Sequence, residues 1–142
     1  MADDVVAVLD SIGIGKAHYF GYSMGAMIGF RVATRYPERF HSFILGGMSP
    51  YNDEASVKER EIIMGRVKLL LNDPEAYLLD REQRMGRLLT PEDRNMLLSN
   101  DAEALIAVLT SLMDLPPLTD HELSGISLPC LVYAGELDPL QT

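Results

Sequence analysis

The sequence predicts an α/β fold with a parallel sheet, and three features support this class. Residues 1–49 alternate helical and strand patterns, with glycines at the joints. Residues 50–122 are charged and helical in period. Residues 123–142 return to a short apolar strand followed by a turn. We therefore expect a core segment at 1–49, a helical insertion at 50–122 and a returning core strand at 123–142.

The first segment opens with a predicted amphipathic helix. Asp3 or Asp4 can cap its amino end, because a short carboxylate accepts hydrogen bonds from the first free N–H groups. Gly13 stands where a left-handed residue would end the helix. The predicted apolar face comprises Val5, Val8, Leu9 and Ile12.

A strand–helix–strand unit follows this helix. Residues 17–22 predict an aromatic-rich strand, and residues 40–45 predict a second one. Between them a helical period starts at Met24 and is stopped by Pro37. The short joints favour a βαβ unit, and therefore parallel strands joined by a right-handed crossover.

The remaining elements are marked by start signals and by one apolar run. Asp73-Pro74 and Thr90-Pro91 each predict a helix start, the second with an acid three residues after the threonine. Residues 128–134 are almost continuously apolar, which predicts a strand buried on both faces. Cys130, inside that run, is expected to be inert core.

Composition excludes several function classes. Twelve Lys and Arg against twenty-one Asp and Glu give 142 residues a net charge of −9. That field repels nucleic-acid phosphates and anionic membrane surfaces, so neither is an expected partner. One cysteine cannot form an internal disulfide, and no signal-peptide pattern or apolar run of spanning length is present. We expect a cytoplasmic protein.

The pattern GxSxG at residues 21–25 carries the predicted chemistry. It falls between a predicted strand and a predicted helix, where a nucleophile elbow projects its serine from a strained turn. Ser23 is then the candidate nucleophile, and the Met24 backbone N–H is a candidate oxyanion-hole donor. Side chains in place of Gly21 and Gly25 are expected to collide across the turn. The alternative is a glycine-rich turn whose serine merely caps the next helix.

These residues resemble the α/β-hydrolase superfamily. Phe-Gly-Tyr-Ser-Met-Gly at 20–25 and Tyr-Pro-Glu-Arg-Phe at 36–40 are similar to its small, cap-bearing esterase, lactonase and peptidase-like members. Residues 128–139 resemble the strand and turn that bear the family's triad acid. The resemblance implies a partial hydrolase fold: a three-stranded parallel sheet with flanking helices, and a helical cap at 50–122.

The resemblance also implies roles for particular residues. Asp138 would orient and stabilise a catalytic histidine, with Glu136 as the alternative acid. The alternative for Asp138 is an Asp-Pro turn whose acid caps a following helix. Tyr22, Met24 and Met48 are predicted to contact a small, fairly apolar ester or lactone. The mechanism needs no cofactor, and the sequence has no Walker loop, dinucleotide fingerprint or metal-ligand spacing.

The general base is missing from its expected place. The family order is serine, acid, histidine, but no histidine follows Asp138. His18, His41 and His121 have neither the order nor the placement of a base, and they show no paired spacing for a metal.

We therefore expect a fragment that lacks the amino-terminal strands and the carboxyl-terminal histidine segment of a serine hydrolase, and that is inactive by itself. A non-catalytic pseudo-hydrolase or interaction domain is the alternative. A third hypothesis completes the triad with a histidine from a second chain. In such a fragment the strand at 17–22 would lack its usual partner and form an exposed edge, and we expect self-association through it.

Overall fold

The computed structural model describes the backbone of residues 1–51 and 54–136, and the side chains of residues 1–51 and 57–136. Helices and parallel strands follow one another as the α/β class requires, which confirms the predicted class. The helices are α1 (Ala2–Ser11), α2 (Met24–Arg35), α3 (Glu54–Asn72), α4 (Pro74–Met85), α5 (Pro91–Leu98), α6 (Ala102–Met113) and α7 (Asp120–Ser124). The strands are β1 (Ala17–Tyr22), β2 (Phe40–Gly46) and β3 (Cys130–Tyr133), and a 3₁₀ turn, Pro37–Arg39, precedes β2.

The sheet is parallel and has the order β1-β2-β3. Tyr22 pairs with Gly46, and Gly46 pairs with Tyr133, so the three strands reach the same edge together. The register between β1 and β2 shifts by one residue between Ala17 and His18. Within the described part of the chain, this arrangement confirms the expected three-stranded parallel sheet.

One face of the sheet forms the core with α1 and α2. Tyr19 meets Phe40 edge-to-face with ring centroids 6.0 Å apart, and Phe40 and Phe43 are 5.1 Å apart. Such aromatic pairs bury large apolar areas in favourable geometry. The buried cluster comprises Ala2, Leu9, Ala26, Phe30, Val32, Ala33, Phe40, Phe43, Leu45 and Leu118.

The opposite face of the sheet is open. Phe20 is 67% exposed, Tyr22 is 61% exposed and Leu131 is 59% exposed. The expectation that the last strand is buried on both faces is therefore wrong, since every residue of β3 is exposed. Cys130 is exposed as well, and not core. An apolar run shows that a strand is suited to a buried environment, but it does not show which segments cover the strand. In the part of the chain described here, β3 pairs with one strand, β2.

The first helix differs in detail from its prediction. It begins at Ala2 with Met1 as the cap, so Asp3 and Asp4 lie in the first turn and not at the capping position. There they complement the helix dipole. Gly13 has φ +70°, as expected for a left-handed residue at the helix end. Leu9 of the predicted apolar face is buried and Val5 packs against the core, whereas Val8 and Ile12 are exposed.

The chain divides into two compact units, Met1–Ser56 with Pro116–Thr142, and Val57–Leu115. In the second unit both predicted helix starts are confirmed. Asp73 accepts a hydrogen bond from the Ala76 N–H at 3.1 Å, and Thr90 and Asp93 form a reciprocal capping box. A small buried cluster of this unit consists of Leu78, Leu89 and Leu97.

The described helices are too short or too polar to resemble a membrane-spanning helix. None of them is by itself both long enough and apolar enough to cross a bilayer. Taken together, α5 and α6 have the length and apolar composition of a membrane-spanning helix, although a bend of 62° separates them.

Candidate active site

The candidate site lies at the carboxyl edge of the sheet. The Ser23 N–H donates to the Gly46 carbonyl at 2.8 Å, and the Gly47 N–H donates to the Tyr133 carbonyl at 3.0 Å. These bonds continue the ladder one residue beyond each strand, so the ends of all three strands are held together. Parallel sheets in α/β proteins place their binding sites at this edge.

Ser23 has an unusual backbone conformation at the strand-to-helix turn. Its φ is 54° and its ψ is −119°, and it is the sole non-glycine residue with positive φ in the described part of the chain. Such a conformation costs about 1–3 kcal/mol and persists where the surrounding structure imposes it. A serine that merely caps a helix has extended backbone and accepts from the first turn, but Ser23 makes no side-chain capping bond. The geometry therefore argues against the capping alternative.

Gly21 allows β1 and α2 to approach closely. A Cβ built on Gly21 would lie 2.4 Å from the carbonyl oxygen of Gly25, a distance that real Cβ atoms do not tolerate. The expectation of a collision is correct for this glycine. It is wrong for Gly25, because a Cβ there meets no atom within 4 Å. A Cβ at Gly21 would point toward the first turn of α2, whereas a Cβ at Gly25 would point into open space.

Tyr19 supports the turn from the core side, a role that the sequence analysis missed. Its hydroxyl donates to the Gly25 carbonyl at 2.8 Å, and its ring lies against the backbone of Gly21. Burial raises the pKa of Tyr19, so the phenol remains a neutral donor at physiological pH. The available signal was strand alternation, which places residues 19 and 21 on the same face.

Helix α2 begins immediately after the serine. The N–H groups of Ala26 and Met27 both donate to the Ser23 carbonyl, at 2.9 and 3.2 Å. The Met24 N–H occupies the first helical position, where no acceptor exists within a helix. The first turn of α2 carries no acidic residue to offset the positive end of the helix dipole. An anion forming next to Ser23 would meet a favourable field.

The predicted substrate contacts take different positions. Tyr22 is largely exposed, and its ring covers the backbone of Gly47, where a Cβ would lie 2.6 Å from the tyrosine Cε2. Met24 is exposed beside Ser23. Met48 is half-buried and packs against the core cluster. The structure thus leaves Tyr22 and Met24 accessible next to the serine, and holds Met48 partly in the core.

Two of the three histidines lie at the end of the sheet away from the serine. His18 precedes Ser23 by five residues along an extended strand, which separates their backbones by about 16 Å. His41 lies at the same amino end of the sheet, with its ring 5.2 Å from that of His18. His121 is exposed on α7. Asp138 lies outside the described residues, and the alternative acid Glu136 is exposed in the turn after β3.

Comparison with known proteins supplies the context for this geometry. A family model of the alpha/beta hydrolase fold matches residues 1–124. The chain is 30% identical over 155 residues to 3-oxoadipate enol-lactonase 2 of Acinetobacter baylyi, an alignment that covers 100% of this chain and 54% of the relative. It is 35% identical over 95 residues to a putative carbamate hydrolase, RutD, of Pseudomonas syringae, covering 66% of this chain and 34% of that protein.

A solved structure shows the same architecture. The thermophilic esterase of Thermogutta terrifontis superposes with a TM-score of 0.69 at 26% identity, covering 98% of this chain and 54% of the esterase. Across these comparisons the chain spans about half the length of the proteins that it matches, or less.

Proposed function

Because this chain belongs to the α/β-hydrolase fold family, we propose that it carries the nucleophile of a serine hydrolase that acts on a small, fairly apolar carboxylic ester or lactone. The observation that carries the proposal is the backbone of Ser23, with positive φ and no capping bond, between β1 and α2. The matched relatives are hydrolases, among them an enol-lactonase and an esterase. Their names supply the substrate class, which is the finer part of the proposal.

The proposed reaction is acyl transfer through the serine hydroxyl. Ser23 Oγ attacks the substrate carbonyl carbon while a histidine base takes its proton. The Met24 N–H and the positive end of α2 stabilise the oxyanion. The histidine then protonates the leaving alkoxide, and water hydrolyses the acyl-enzyme by the same steps. Asp138 is the proposed partner of that histidine.

The source of the base is the second part of the proposal. A base must lie within about 3 Å of the proton that it abstracts, directly or through one water. His18 and His41 are at the wrong end of the sheet for Ser23, by about 16 Å in the case of His18. His121 is exposed on α7 between two acidic residues, and we propose that the base lies in a part of the hydrolase that this chain does not supply.

The substrate would lie over the accessible side chains beside Ser23. Tyr22 and Met24 present aromatic and thioether surface there, which suits an apolar acyl group. Met48 would contribute from the half-buried side.

The test is Ser23-specific labelling rescued by a diffusible base. The chain is treated with a fluorophosphonate, with and without free imidazole, and the covalent adduct is read by intact mass. We expect slow labelling that imidazole accelerates and that Ser23→Ala abolishes. Ser99→Ala, at the exposed serine that caps the carboxyl end of α5, is the matched control and should label like the wild type. Labelling that survives Ser23→Ala would refute the proposed nucleophile.

The distance of His18 and His41 from Ser23 favours one alternative, a non-catalytic pseudo-hydrolase or interaction domain. On that hypothesis Ser23 stays unlabelled at every imidazole concentration, although circular dichroism shows a folded chain. The experiment with added imidazole separates the two functions, because a serine that lacks only its general base should be labelled faster when a base is supplied.

A further inference from the structure

Two histidines that are far apart in sequence lie together at the amino edge of the sheet. The ring centroids of His18 and His41 are 5.2 Å apart, with the planes inclined by 40°. Both residues are exposed to solvent. The proposed hydrolase chemistry uses neither residue.

The register shift in the sheet produces this pair. Ala17 pairs with Phe40, but His18 pairs with Ser42, so His41 is the additional residue on β2. An irregularity of this kind sets two residues of one strand opposite one residue of its neighbour and re-aims a side chain. His18 therefore faces both His41 and Ser42.

Ser42 fixes the orientation of the His18 ring. Its Oγ lies 2.7 Å from the Nδ1 of His18. When Nδ1–H donates to this hydroxyl, the lone pair of the imidazole is on Nε2. Metal-binding histidines use this same device, in which a hydrogen bond to one ring nitrogen sets the tautomer and aims the other.

We propose that His18 and His41 form a two-imidazole binding site for a divalent transition-metal ion such as Zn²⁺. Two imidazoles bound tetrahedrally at metal–nitrogen distances of about 2.0–2.1 Å have ring centroids about 5 Å apart. The 5.2 Å between the two ring centroids agrees with this spacing. The described residues contain no cluster of three or more His, Cys, Asp and Glu side chains suited to a metal, so water completes the coordination.

The site is independent of the proposed nucleophile because the two lie at opposite ends of β1. Its ligands follow the usual preference of imidazole for zinc, copper and nickel over magnesium and calcium. Cu²⁺ should bind more tightly than Zn²⁺, as the general affinity order of divalent ions requires.

The experiment titrates Zn²⁺ into the chain by calorimetry at pH 7.5, where free imidazole is mostly neutral. A Cys130→Ser background removes the exposed thiol as a competing ligand. We expect one ion per chain, and a loss of affinity of at least about tenfold in His18→Ala and in His41→Ala. Ser42→Ala should cause a smaller loss. His121→Ala removes the third histidine and should bind as the wild type does.

Two further results separate a shared site from independent ligands. When two histidines share one ion, the second histidine substitution reduces the Zn²⁺ affinity less than the first. The losses of affinity are then not additive in the double variant. Substoichiometric Cu²⁺ should broaden the imidazole resonances of His18 and His41 together, before that of His121. The proposal is overturned if the folded chain binds no Zn²⁺, if either single variant binds as tightly as the wild type, or if His121→Ala loses as much affinity.

Discussion

At the scale of single residues, hydrogen bonds from neighbouring residues fix the backbone conformation of Ser23. Its amide is fixed to the Gly46 carbonyl on one side, and its carbonyl accepts from the first turn of α2 on the other. The Tyr19 hydroxyl donates a hydrogen bond to the Gly25 carbonyl. These bonds offset the cost of a positive φ and keep the hydroxyl outside the hydrogen bonding of the helix.

The two glycines of the motif should respond differently to substitution. Gly21→Ala places a methyl group against the Gly25 backbone, so we expect a loss of about 1–3 kcal/mol in the free energy of unfolding. Gly25→Ala places it in open space on a helix and should be neutral, or stabilising by up to about 1 kcal/mol. Urea unfolding of the two variants measures the difference. Equal effects would show that the turn is not crowded at Gly21.

At the scale of elements, the helix starts are built from local side-chain to backbone bonds. In the capping box of α5 the Thr90 hydroxyl accepts from the Asp93 N–H, and the Asp93 carboxylate accepts from the Thr90 N–H, both at 3.1 Å. Arg87 adds an ion pair to the same carboxylate at 2.8 Å. Because all these partners are within six residues, the sequence pattern was sufficient to predict the cap.

The capping box should make stability depend on pH. The hydrogen bonds from Arg87 and Thr90 lower the pKa of Asp93 from its ordinary value of 3.8. A carboxyl whose pKa is lower in the folded state stabilises above the unfolded pKa, and this contribution is lost as the pH falls through the folded pKa. We expect Asp93→Asn to be less stable than the wild type at pH 7, with the difference shrinking as the pH falls from about 4 through the lowered pKa of the folded state.

Urea midpoints at a series of pH values test this prediction. Glu92→Gln removes a neighbouring charge at the same helix start but none of the capping bonds, and is the matched control. A stability difference for Asp93→Asn that is constant from pH 7 to pH 3 would contradict the assigned cause.

At the scale of the whole molecule, the open face and edge of the sheet are the dominant feature. Phe20 and Leu131 expose apolar surface, and β1 pairs with one strand among the described residues. An exposed edge strand presents unpaired N–H and C=O groups that can pair with another chain. In a solution of this protein, the chain available to pair with this edge is a second copy of the protein.

We propose that the chain self-associates through β1, and we expect a mass above that of the monomer in light scattering at high concentration. Phe20→Lys introduces a charge on the strand and should shift the mass toward the monomer. Leu88→Lys changes a residue that is 80% exposed in the other unit, and should leave the mass unchanged. A monodisperse wild-type monomer would disprove the association.

The sequence by itself determined the features that depend on near neighbours and on period. Residues 17–22 and 40–45 predicted the first two strands, and the helix starts at Asp73 and Thr90 were readable because their bonds are local. The GxSxG pattern located the strand-to-helix turn at Ser23, since the glycines and the change of period coincide there.

Tertiary structure decided what depends on contacts between distant segments. The exposure of β3 follows from what packs on it, which an apolar run does not encode. Tyr19 reaches the Gly25 carbonyl only through the packing of α2 on β1. His18 and His41 meet because of a one-residue register shift between β1 and β2, a feature of how the two strands pair in the folded sheet.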